Sequence, residues 1–192
     1  MIMVLDPGRV DADLAAGALA CPRCPGVLRP WSWAAVRRVR QLDGVMLAVR
    51  PRRARCSSCH ATQVLLPAGC LPRLGDAAAV VGAVLVAKAS GQGCRSIAAE
   101  LHRPVSTVRR WLRRVRGEHT DWLRRRAVEH AHTLDPDVLT GLLAQPSALG
   151  DAVQALAAAV VAYHRRFTRP VEPWALIVVF VHGRLLATAP AD

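Results

Sequence analysis

SGQGCRSIAAELHRPVSTVRRWLRRVR, residues 90–116, sets the architecture of this chain. Ile97, Ala98 and Leu101 give a first short helix one apolar side, and His102-Arg103-Pro104 forms a tight turn. Beyond it, Val108, Trp111, Leu112 and Val115 recur at i, i+3, i+4 and i+7, the apolar stripe of an amphipathic helix. Val105, Ser106, Arg109, Arg110 and Arg113 fall on the opposite face. Pro104 suits the first helical position, where a missing N–H costs nothing. Two helices, a tight turn and an arginine-studded second helix predict a helix-turn-helix whose second helix enters a DNA major groove.

Working outward, Asp76 is a candidate N-cap for a helix over Ala77–Ala89, apolar nearly all round and hence buried. This would be the support helix of a three-helix domain over residues 76–117. Cys94 opens the next helix and reads as packing. Before residue 76, residues 68–75 read as a linker in which Cys70 is a small apolar plug.

Upstream stand two Cys-x2-Cys pairs, Cys21/Cys24 and Cys56/Cys59, separated by 31 residues. Four thiolates at this spacing can converge tetrahedrally on one Zn²⁺, and an all-cysteine set predicts a closed structural site rather than a catalytic one. His60, next to Cys59, could compete as a ligand but reads as a surface residue. The insert reads as a long β-hairpin, Val27–Gln41 against Val45–Arg55, turning at Leu42-Asp43-Gly44. Val64–Leu66 closes this zinc ribbon, which spans residues 15–67. Ala15–Ala20 reads as a small strand, and residues 1–14 as a lead-in short of pattern. Trp31 and Trp33 alternate onto one face, where they cover the small sheet.

The chain has 192 residues and a formal net charge of +12. The charge is clustered: residues 29–55 hold eight Arg against Asp43 alone, and residues 95–126 hold ten Arg against three acids. Arg outnumbers Lys 25 to 1, which a coding bias explains, but the clustering favours a polyanionic partner. Arg37, Arg38, Arg52 and Arg53 of the hairpin are expected to add phosphate contacts. In the second helix, Arg109, Arg110 and Arg113 read guanine edges or clamp phosphates, while Val105, Ser106 and Thr107 approach the bases.

CPRCPGVLRPW (residues 21–31), RPRRARCSSCHATQVLLPA (50–68) and RSIAAELHRPVSTVRRWLRRV (95–115), in that order, resemble a bacterial family of helix-turn-helix proteins with an N-terminal zinc ribbon. These are similar to the DNA-binding front ends of insertion-sequence transposases. The resemblance covers about residues 20–117 and implies Zn²⁺ as structural cofactor and double-stranded DNA as partner. Many such motifs carry glycine where His102 stands here, so His102 is expected at positive φ.

The tail, residues 118–192, is helical by pattern. Glu118–Thr133 carries Leu123, Ala127, Ala131 and Leu134 on one side, and Asp137–Ala144 is short. Ser147–Phe167 presents Val153, Leu156, Val160, Val161, His164 and Phe167 as an apolar face, with His164 read as a core histidine. Trp174–Ala187 is a last apolar helix or a strand. The surplus apolar surface suggests either a helical bundle or a homodimer contact. The expected fold is therefore mainly α: a small β ribbon, a three-helix domain and a helical tail.

Chemistry points away from an enzyme. The tail acids Glu129, Asp135, Asp137, Asp151, Glu172 and Asp192 are scattered, where a transposase needs clustered carboxylates for two metal ions. His130 and His132 lie two apart on a helix and face differently. No GxxxxGK[ST], GxSxG or HExxH occurs. No run reaches the ~18 apolar residues of a membrane span, and the N-terminus is not a convincing secretion signal. The expected location is cytoplasmic, at the nucleoid.

Overall fold

The computed structural model describes residues 1–187; residues 188–192, including Asp192, lie outside the described residues. The expected lead-in is structured. Ile2–Val4 forms a strand, β1, that pairs in parallel with a later strand through Ile2↔Leu65 and Val4↔Pro67. Of the residues expected as a first ribbon strand, Ala15 and Ala16 instead end a helix, α1, over Val10–Ala16, while Ala20 makes an isolated antiparallel bridge with Val27. Val10 and Leu14, one turn apart, are both buried, Asp11 and Asp13 sit in the first turn, and Gly17 at φ 71° ends the helix in the left-handed region.

The long hairpin forms with its turn at Leu42-Asp43-Gly44, but its arms are each broken once. Leu28–Trp33 (β2) pairs antiparallel with Arg52–Cys56 (β5), and Arg37–Arg40 (β3) with Met46–Val49 (β4) as a separate two-stranded tip. An irregularity between Pro30 and Ser32 sets Trp31 out of register. Pro51, at the break in the return arm between β4 and β5, has no N–H to donate, yet its carbonyl accepts from Ala34 N at 2.8 Å and keeps the arms together. Gly44 adopts φ 86°, and Asp43 Oδ1 accepts from Val45 N at 2.9 Å, which fixes the turn. Thr62–Pro67 (β6) completes the larger sheet in the order β1-β6-β5-β2. Its small core holds Val10, Leu14, Leu28, Ala54 and Leu65 with Cys21 and Cys56.

Three helices follow: Ala78–Ala89 (α2), Cys94–Glu100 (α3) and Val105–Arg114 (α4). Asp76 does not cap α2. The N-cap position is Ala77, with no side-chain cap, and the Asp76 carboxylate instead holds Arg103. His102 adopts φ 50°, as expected, and the turn closes as a Schellman motif: His102 N donates to Ala99 O and Arg103 N to Ala98 O. Val108, Trp111, Leu112 and Val115 are all buried, so the predicted stripe is the packed face of α4.

The tail comprises Glu118–Leu134 (α5), a 3-10 turn at Pro136–Leu139 in place of the short helix, Ala148–Arg166 (α6) and Pro173–Phe180 (α7). The face expected for α6 is partly wrong. Leu156 and Val160 are buried, whereas Val161, His164 and Phe167 are exposed. Small residues do the packing instead: Ala152, Ala155, Ala159 and Ala162 of α6 and Ala127 and Ala131 of α5 are buried. Alanine contributes little area, but it lets two helix backbones approach closely. α7 is a helix, shorter than expected, ending near Val181 and followed by the buried Leu185 and Leu186.

One hydrophobic core runs from Val39 of β3 and Leu66 of β6 through α2, α3 and α4 to Leu123, Leu156, Leu176 and Leu185. The tail's apolar surface is therefore largely covered within the chain. α2 lies at the centre of this core. Gly82 is a residue of it where any Cβ would collide with the Trp174 indole, so the ring packs directly on the α2 backbone.

Candidate nucleic-acid interface and metal centre

The four cysteines are brought together by two loops of the same design. Cys21 N donates to Gly26 O at 2.8 Å and Cys56 N to Ala61 O at 3.0 Å, so each Cys-x2-Cys is closed by a bond spanning five residues. Gly26 lacks a Cβ where one would stand 2.8 Å from Cys56 Sγ, so the loops can interlock. All four Sγ atoms lie within 4.8 Å of one another, with Cys21–Cys59 at 3.7 Å and Cys24–Cys56 at 3.4 Å. A disulfide needs about 2.05 Å. Four sulfurs on a tetrahedral Zn²⁺, with Zn–S near 2.3 Å, stand roughly 3.8 Å apart. The cluster can hold a metal ion of that size and preference. His60 is exposed and is not among the clustered ligands.

The thiols are differentiated before any cation is added. The Cys59 backbone N–H, opposed by burial and helped by the Ser58 N–H, lowers the Cys56 pKa to about 6. For Cys59 the Ala61 N–H acts downward, but the Cys24 sulfur, burial and the other two sulfurs outweigh it and raise its pKa to about 11. Crowded sulfurs resist successive deprotonation; a cation at their centre reverses that penalty.

α4 presents its charged side to solvent. Ser106, Arg109, Arg110, Arg113 and Arg114 are exposed, while Val105 and Thr107 are partly covered. At about 3.6 residues per turn, Ser106, Arg110 and Arg113 lie most directly opposite the buried stripe. Arg109 and Arg114 flank that row on either side. Pro104 occupies the N-cap position without a side-chain cap, so the first N–H groups of α4 point outward from the turn.

The turn before α4 is clamped. Arg103 Nε lies 2.6 Å from Asp76 Oδ1, and Arg103 Nη1 donates to Leu101 O at 3.2 Å and His102 O at 2.9 Å. Sequence reasoning missed this role for both residues. A cap reading of Asp76 used only its immediate neighbours, whereas its partner lies 27 residues away.

The hairpin arginines divide. Arg37 Nη2 donates to Leu71 O at 3.1 Å and Leu74 O at 2.6 Å, docking the tip on the segment before α2. Arg52 bonds Asp11 Oδ1 at 2.7 Å and Ser32 O at 3.1 Å, and lies 4.6 Å from the Trp33 ring centroid. Both guanidinium groups are thus engaged within the protein. Arg38 and Arg53 are exposed, with no side-chain partner among the described residues. Trp31 and Trp33, expected to cover one face of the small sheet, keep much of their rings open to solvent. They are exposed, with Arg55 4.8 Å from the Trp31 centroid and Arg50 5.8 Å from that of Trp33.

Residues 79–128 match the family model of the homeodomain-like domain. The match takes in nearly all of α2, both helices of the turn motif and the first part of α5. No curated protein and no solved structure matches the chain. Among the described residues, no helix is long and apolar enough to cross a membrane.

Proposed function

We propose that the chain is a non-catalytic, sequence-specific double-stranded DNA-binding protein whose ribbon folds around one structural Zn²⁺. The observation that carries this reading is α4: an arginine-rich face, open to solvent, on a helix whose other face is anchored by the fully buried Trp111 and Val108. A rigid scaffold that presents Ser106, Arg110 and Arg113 in one row has the form of a major-groove reader. Arg110 and Arg113 suit bidentate bonds to guanine O6 and N7, and Ser106 and Thr107 sit at the end of the helix that meets base edges first. Arg109 and Arg114 flank this row and suit the phosphates on either side.

Zn²⁺ is the metal favoured by four thiolates in a closed tetrahedral set. When bound it supplies cross-linking between the two loops and no chemistry on the DNA. The order of ribbon and helix-turn-helix supports a place at the nucleoid, as a transcriptional regulator or a transposase-like DNA-binding protein.

Selection from random duplex DNA at physiological salt, with zinc-loaded protein, tests this reading. A guanine-containing motif should be enriched. Arg110→Ala with Arg113→Ala should abolish selective binding while melting temperature is kept. Absence of any enriched motif, with fold and zinc intact, would sink the proposal in favour of an adaptor that binds protein partners.

A further inference from the structure

The β3–β4 tip is an unusual surface. Of the large hydrophobic side chains that are exposed, Leu42 (57%), Val45 (60%), Met46 and Leu47 cluster on it beside arginines, with Asp43 as the one acid, its Oδ1 accepting from Val45 N. The strand register sorts its faces. Arg37 and Val39 point to the body of the protein, where Val39 is buried and Arg37 bonds two carbonyls. Arg38 and Arg40 point the other way, exposed, opposite Ala48 and Met46.

The tip is also fixed against the turn of the helix-turn-helix. Arg40 N donates to Gly75 O at 2.8 Å and Ala77 N to Arg40 O at 2.9 Å. Between these two residues stands Asp76, whose carboxylate grips Arg103, immediately before Pro104 and the start of α4. Two backbone hydrogen bonds and one ion pair therefore tie the hairpin to the end of α4 that leads into a major groove. Beyond Arg40 the turn extends about two residues per arm, roughly 7 Å at 3.3 Å per residue.

We propose that the β3–β4 hairpin is a second DNA-contacting element that enters the minor groove beside the stretch read by α4. Arg38 and Arg40 meet the phosphates along one wall, and Leu42 and Val45 at the tip press on the groove floor. A cationic ribbon with an apolar end matches what a minor groove accepts: arginines for its negative potential and apolar wedges between base steps. Charge decides for DNA over a protein partner, because Asp43 is the only acid between Arg29 and Arg55. The inference rests on α4 being the major-groove helix, and it adds a flank to the bound site.

Hydroxyl-radical footprinting of the full, zinc-loaded chain on its selected duplex tests it. Wild type should protect the α4 site and, to one side, a short run of sugars across the adjacent minor groove. Arg38→Ala with Arg40→Ala should lower the slope of log K against log salt by about two and erase only the flank. Leu42→Asp with Val45→Asp, at exposed turn positions, should erase the same flank and weaken binding roughly tenfold or more. An unchanged footprint and slope in both variants overturns the hairpin role and leaves α4 as reader. A wild-type chain that protects no DNA overturns the reading of α4 and the hairpin role together.

Discussion

Arg103 and Asp76 meet at 2.6 Å, with only 7% and 19% of their side chains exposed, and they lock the turn between α3 and α4 to the segment that begins α2. The same arginine holds the carbonyls of Leu101 and His102, so one guanidinium satisfies a carboxylate and the end of α3. Removing the carboxylate leaves a largely buried cation without its counter-charge. Asp76→Ala should therefore cost about 3 kcal/mol, near the lower end for breaking a buried pair. Urea unfolding measures it. Asp76→Ala with Arg103→Met should recover much of the loss, since the uncompensated charge is gone; a double variant as unstable as the single would refute the pairing argument.

Metal removal should act locally. The four-stranded sheet's own core is small and includes Cys21 and Cys56, whereas the helices share the larger core with Val39 of the β3–β4 tip and Leu66 of β6. Zinc in such sites contributes about 10–16 kcal/mol apparent at neutral pH. Chelation should unfold the sheet while most helical circular dichroism persists, and Cys21→Ser should do the same. The bound metal should measure one equivalent. Acidification should release it, because protons compete for thiolates, and Cys59, raised to about 11, is the sulfur hardest to deprotonate without metal.

Stability should fall as the solution becomes acidic through the histidine range. Burial lowers the pKa of His119, whose Nε2 lies 3.2 Å from Leu185 O, and of His130 and His182. A lowered folded-state pKa means that the unfolded chain takes up protons which the folded chain refuses. The stabilisation is complete above the ordinary value of about 6.5 and is lost as pH falls toward the folded value. His119→Phe, which keeps a ring against Trp122, should flatten part of this dependence. Urea midpoints compared at about pH 7.5 and 5.5 check the sign.

Gly82→Ala is predicted to destabilise although alanine is the better helix former. The added methyl meets the Trp174 indole, so α7 must shift or the ring must leave its site. Overpacking of this kind costs about 1–3 kcal/mol, against a propensity gain of about 1 kcal/mol. A thermal melt that rose would show the ring free to move aside.

What was legible in the sequence was whatever repeats within a few residues. The stripe Val108-Trp111-Leu112-Val115, the Cys-x2-Cys pairs and the Asp43-Gly44 turn all carry their signal locally, while the left-handed His102 follows from the family resemblance. Misreadings arose where tertiary partners decide. Ala15–Ala20 carries no helical pattern of its own; the deciding pair, Val10 and Leu14, stands upstream and is buried only against the sheet. Of the face expected for α6, Leu156 and Val160 pack inward while Val161 and Phe167 stay exposed, because the rest of the packing face is alanine, whose small size is the property selected by a close neighbour. Among the arginines, no spacing distinguishes Arg37, which binds two carbonyls, from Arg38, which binds none. Strand alternation separates them only once the docked face of the hairpin is known.

The central position of α2 has a consequence for portability. Its surface is sheathed by the Trp174 ring and the last helices on one side, and its first turn is stitched to the hairpin through Arg40 and Ala77. A fragment trimmed to the homeodomain-like residues 79–128 would lose both coverings and bare Val80, Val81, Val84 and Leu85 at least in part to water. The helix-turn-helix of this protein is not a detachable cassette. To transplant it onto another chain, the β3–β4 tip and the tail would have to travel with it.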